Sequence, residues 1–136
     1  MDLIARYART LDSGDLDGYV AQFAPDATLF ERSKGRDAIR AMVAQLYKEG
    51  RAGPLPTGDV AYRHFAQAVT IDAVDETHAN VHSYLLWVNM GNEPPVSSAA
   101  EYLDEVVKIG QWYFQSRKLH PLAGRFPGQQ PVIPQS

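Results

Sequence analysis

The amino-acid sequence predicts an α+β domain in which helices come first and a curved antiparallel sheet follows, folded around a pocket for a mostly apolar small molecule. Three observations carry this. Apolar residues recur at helical spacing as far as Gly50, the spacing changes to alternation after a Gly/Pro-rich break, and short connections join the alternating runs as a meander requires.

Ile4, Tyr7, Ala8 and Leu11 fall at i, i+3, i+4 and i+7, forming one face of a first helix that Gly14 ends. A second helix follows at once. Ser13 or Asp15 can cap it, and Leu16, Tyr19, Val20 and Phe23 form its apolar stripe until Pro25 and Asp26 break the pattern. Residues 27–32 are a short β-prone piece. Gly35 precedes a third helix with the stripe Ile39, Met42, Val43, Leu46 and Tyr47; Asp37 suits its positive end and Gly50 closes it. Gly53, Pro54, Pro56 and Gly58 make residues 51–59 the longest loop.

Strands are predicted at residues 61–72, 77–90, 97–108 and 111–119, with turns around Asp75 and Glu76 and at Gly110. In the first of them His64, Ala66, Ala68 and Thr70 share one face, and Phe65, Gln67, Val69 and Ile71 share the other. Small side chains on a concave face leave volume for a cavity. The apolar opposite face calls for cover by further copies of the chain, as a homodimer or homotrimer. The domain is assigned to residues 1–122, and residues 123–136 form a Pro/Gly/Gln-rich tail that either lies over the pocket or stays disordered.

With 136 residues, 45% hydrophobic and 21% charged, the chain is long enough for one core without disulfides or metals. A formal charge of −3 with 13 scattered Lys and Arg lacks the footprint of a nucleic-acid or anionic-membrane binder. The absence of cysteine removes thiol nucleophiles, thiolate metal sites and disulfide scaffolds, and fits a reducing compartment. No apolar run approaches the ~20 residues of a membrane span, so the expected location is cytoplasmic. There is no H-x-x-x-H spacing for a metal and no G-x-S-x-G elbow for a serine hydrolase.

The four histidines are the general-base candidates, since imidazole has an unperturbed pKa of about 6.5. His78 beside the acidic turn and His120 before Pro121 read as solvated, and His82 as structural. His64 stands among alanines, where a ring needs a partner to fix its tautomer. Asp12, at the first helix corner, is the acid placed to supply it. On the residues alone Asp12 reads first as a corner hydrogen bonder and His64 as a satisfied core histidine.

The text is more specific than its periodicity: RYARTLDSGDLDGYVAQFAPDATLF, GRDAIRAMV, RHF at the start of a strand, and GQWYFQSRKLHPL at the end. Together these resemble the SnoaL-like and scytalone dehydratase-like branch of the nuclear transport factor 2-like superfamily, over roughly residues 1–122. The resemblance implies a cone-shaped α+β barrel with a deep pocket, three N-terminal helices packing on the curved antiparallel sheet. Its members include dehydratases, a dehydrochlorinase, polyketide cyclases, isomerases and non-catalytic assembly subunits, so fold does not settle function.

Eliminating members pair an Asp at the LDSGD corner with a His on the strand after the long loop, which falls on Asp12 and His64. The residue five before that aspartate, here Tyr7, and an Arg after the last W-x-F segment, here Arg117, are implied helpers. The family's Tyr on the first short strand and second strand His are replaced by Glu31 and Asn89, which makes scytalone itself an unsuitable substrate.

The expected activity is therefore a cofactor-independent acid–base lyase of the dehydratase type. His64, oriented by Asp12, takes a proton while Tyr7 or Arg117 assists departure of an oxygen-bearing group. Phe30, Tyr47, Trp87 and Asn89 are expected to contact an aromatic or polycyclic substrate. No nucleotide, flavin or metal is required. The same dyad would serve an isomerase, a cyclase or a retro-aldol-type lyase, and a non-catalytic binding or assembly subunit would leave His64 silent.

Overall fold

The computed structural model describes residues 2–54, 62–89 and 96–124. Helices α1 (Leu3–Ser13), α2 (Leu16–Val20) and α3 (Arg36–Lys48) pack on a six-stranded sheet, an α+β fold as the sequence predicts. Its strands are β1 (Phe23–Leu29), β2 (Ser33–Lys34), β3 (Tyr62–Ala73), β4 (His78–Asn89), β5 (Val96–Ile109) and β6 (Gln111–Gly124), in the spatial order β2-β1-β6-β5-β4-β3. The sheet is not closed, so β2 and β3 form its edges. β6 runs two residues into the predicted tail, and residues 125–136 lie outside the described residues.

The predicted meander β3 to β6 is present and antiparallel throughout. Two features differ from the sequence reading. The second helix stops at Val20, and Phe23 opens β1 instead of continuing the helix. Pro25 pushes the preceding residue out of the α region, and the Phe114 N–H takes the Gln22 carbonyl at 2.8 Å. β1 then runs parallel to β6, with Phe23 opposite Phe114 and Leu29 opposite Arg117, so the sheet is mixed.

The other difference is a bulge. Gln67 is opposite Tyr84 and Thr70 opposite His82, leaving two residues of β3 against one of β4, with Ala68 at φ 54°. Side chains change face across it. His64 and Ala66 share the inner face with Trp87 and Leu85, but farther on Ile71 and Ala73, not Thr70, join the inner Val81 and Ala79.

The core lies between the helices and the inner face of β4, β5 and β6. Leu3, Ile4, Tyr7 and Leu11 of α1 are buried against Val81, Leu85, Ala100, Tyr102, Val106 and Phe114. On the outer face Phe65 is 51% exposed, and Tyr84, Leu103 and Leu122 are exposed as well. Among the described residues no helix is long and apolar enough to cross a membrane.

Candidate active site

α1 ends where Gly14 turns left-handed at φ 82°, and a side chain there would collide with Pro54 at 2.8 Å. This close corner sets Asp12 facing the start of β3. An acidic residue in the last turn of a helix is opposed by the negative end of the helix dipole, a cost of about 0.3–1 kcal/mol. No basic residue shares that turn, and Asp12 is buried. Its compensation is His64: one carboxylate oxygen accepts the His64 backbone N–H at 2.9 Å and the other contacts Nδ1 at 2.6 Å.

An ionised carboxylate only accepts, so Nδ1 is the donor in this contact, and in a neutral ring Nε2 is the nitrogen left with a lone pair. The imidazole is the partner that lines the cavity, and it stacks on Trp87 with ring centroids 6.2 Å apart. That cavity has a volume of about 700 Å³. Deep in it are Tyr7, Leu11, Tyr19, Leu85 and Tyr102, while the exposed Glu31, Arg32, Gln45, Glu49 and Arg51 stand round its mouth. Phe30 and Glu31 hold left-handed φ of 55° and 59°, strain that turns the chain so that Phe30, Glu31 and Arg32 all reach the cavity. Among the described residues no group of three His, Cys, Asp or Glu could hold a metal ion.

Of the residues singled out from sequence, His64, Tyr7, Phe30 and Trp87 line the cavity, with Asp12 bonded behind His64. Two are placed elsewhere. Tyr47 is half-buried outside the lining and donates from its hydroxyl to the Leu11 carbonyl at 2.9 Å, a bolt between α3 and the end of α1. Burial first, then Asp12 and Asp15, pushes that hydroxyl up to about 12. Arg117 is fully buried and absent from the cavity wall, because its guanidinium is taken by Asp104 at 2.8 and 3.1 Å and by three rings. Asn89 closes β4 opposite Tyr62, and its side chain lies outside the described residues. Of the other histidines, His78 bonds Asp75 at 3.0 Å in the exposed turn and His82 faces Glu101 at 3.6 Å.

The family model for the SnoaL-like domain matches residues 1–118. The chain belongs to the SnoaL-like domain family. Among solved structures this SnoaL-like chain is similar to a candidate scytalone dehydratase from Novosphingobium aromaticivorans, at 26% identity and a TM-score of 0.75 over 97% of this chain and 87% of that one. It is also similar to a protein of unknown function with a cystatin-like fold from Nostoc punctiforme, at 26% identity and a TM-score of 0.74 over 94% and 89%. The beta subunit of a candidate aromatic-ring-hydroxylating dioxygenase from Novosphingobium aromaticivorans shares the fold at 16% identity, with a TM-score of 0.69 over 96% and 93%. No curated protein matches. The family and its scytalone dehydratase-like neighbour support a small-molecule-processing enzyme.

The sequence reading missed Tyr19 and Tyr102 as cavity residues and Asp104 as the partner of Arg117. Tyr19 was visible as one of the apolar stripe. Asp104 had no such signal: counted outward from Gly110, an unbroken hairpin sets Leu103 opposite Arg117, and only the bulge between Glu105 and Val106 moves the pairing by one residue to Asp104.

Proposed function

We propose that the SnoaL-like chain is a cofactor-independent acid–base lyase of the dehydratase type, acting on a mostly apolar, aromatic or polycyclic small molecule. The observation that carries this is the Asp12 to His64 contact of 2.6 Å at the wall of an apolar cavity. His64 takes a substrate proton on Nε2, Asp12 holds the tautomer and stabilises the imidazolium that forms, and Tyr7 presents a phenol O–H to a substrate oxygen. The proton held by His64 then leaves with the departing hydroxyl as water, so the elimination is redox-neutral.

The test is a panel of hydroxylated aromatic and polycyclic compounds scored by mass spectrometry for loss of water. Wild type should dehydrate at least one of them. His64→Ala should slow that reaction by about 10²–10⁴, and undiminished turnover by the folded variant ends the proposal.

A second reading concerns assembly. The exposed Phe65, Tyr84 and Leu103 support a homodimer or homotrimer joined through the outer sheet face. Sedimentation should show Leu103→Lys as a smaller species than wild type; a wild type that sediments as a monomer removes the interface.

A further inference from the structure

His64 is gripped at one edge by Asp12 and across one face by Trp87. Asp12 takes the His64 backbone N–H at 2.9 Å and contacts Nδ1 at 2.6 Å. The backbone bond is open to it because β3 is an edge strand with β4 on one side only. In an antiparallel ladder, a residue whose N–H points away from its neighbour stands in a non-hydrogen-bonded pair, where opposite side chains come closest, with Cα atoms about 4.5 Å apart. The residue opposite His64 in that pair is Trp87.

The two ring centroids are 6.2 Å apart and the planes 30° from parallel, an offset stack. The indole is the firmer of the two partners. It is 7% exposed, belongs to the core cluster, and stands on β4 between β3 and β5, with Ser98 as its neighbour on the other side. A single bond to Nδ1 leaves an imidazole free to pivot about that bond, and a rigid surface against its face removes the freedom. With Asp12 at one edge and the indole over one face, the rest of the ring is what His64 offers to the cavity.

We infer that Trp87 is a positioning residue for His64: its indole is the backstop that holds the imidazole against Asp12, keeps the proton on Nδ1 and presents Nε2 to the cavity in one orientation. This rests on the acid–base reading and gives Trp87 a part in proton transfer that mere contact with substrate would not require. The pair works as a unit. Asp12 alone fixes where one nitrogen sits, and Trp87 fixes the plane in which the other lies. Proton transfer depends on that plane, since misplacing a reacting group by about 1 Å can lower a rate about 10²-fold.

The test is nitrogen NMR of the imidazole in the full chain at about pH 8, where a free imidazole is neutral, with the His64 signals identified by their loss in His64→Ala. In wild type the two ring nitrogens should be widely separated, with the proton on Nδ1, and a nuclear Overhauser contact should join the His64 ring to the Trp87 indole. Trp87→Leu should bring the two nitrogen shifts toward each other as the ring exchanges between tautomers, and Trp87→Phe, which keeps an aromatic face, should restore most of the separation. On a compound that wild type dehydrates, Trp87→Leu should lower kcat about 10²-fold with KM nearly unchanged; a residue that only contacts substrate would raise KM and spare kcat. Absence of the contact in wild type, wild-type nitrogen shifts in Trp87→Leu, or a KM effect without a kcat effect overturns the inference. Failure of the acid–base reading is separate: His64→Ala turns over undiminished while Trp87→Leu still draws the nitrogen shifts together.

Discussion

Two carboxylates behind the same cavity hold one basic partner each, at nearly the same distance, and to opposite effect. Asp12 meets His64 at 2.6 Å with side chains 9% and 11% exposed; Asp104 meets Arg117 at 2.8 Å with both at 0%. A guanidinium never gives up its proton in a protein, whereas an imidazole does so near neutrality. The first pair can therefore take part in proton transfer, and the second is a fixed dipole. They also differ in what they join: Asp104 and Arg117 face one another across the β5/β6 hairpin, while Asp12 and His64 bring together a helix end and a strand 52 residues apart.

The comparison breaks most visibly at the fixed pair. Arg117→Met strands the Asp104 charge in the core and should cost about 3–5 kcal/mol in urea unfolding. Arg117→Met combined with Asp104→Leu should recover most of that loss, because a buried ion pair adds little net stability over apolar side chains. A single variant as stable as wild type would mean that water reaches Asp104.

A smaller effect is expected at the labile pair. Asp12→Asn keeps the shape and weakens the hold on Nδ1, so turnover should fall about 10–100-fold with the unfolding midpoint little changed. If stability drops and turnover does not, Asp12 is a strut and the two pairs are alike.

The smallest effect sharpens the labile side. Tyr47→Phe removes the bond to the Leu11 carbonyl beside Asp12 and should cost about 1 kcal/mol. The Tyr47 pKa is raised to about 12 in the folded chain from 10.0, so its contribution is complete below pH 10 and is lost as pH climbs through 12. The stability gap between wild type and Tyr47→Phe should narrow over that window in alkaline unfolding curves.

Much of the fold was legible because α1, α3 and the long hairpins carry strong periods with clear punctuation at Gly14, Gly35, Gly50 and Gly110. The misread stretch is Gln22 to Pro25, where local spacing favours a helix and pairing with β6 decides for a strand. No local pattern encodes a parallel bridge between residues 23 and 114. The Asp12 and His64 pair was reached through family resemblance, since no spacing links a helix corner to a distant strand. Arg117 was found by the same route yet given the wrong surroundings, as its burial depends on rings contributed by α1, β5 and β6.

The bulge at Ala68 divides β3 into two stretches that can vary independently. Pairing on the helix side of it fixes His64 opposite Trp87, and pairing beyond it sets which residues look toward Val81. Deleting that one residue would leave a regular ladder, with Ile71 and Ala73 still opposite Val81 and Ala79 and His64 in place. In an evolving lineage the extra residue can be gained or lost at this point while the inner faces of both stretches, the proton-transfer end included, are inherited unchanged.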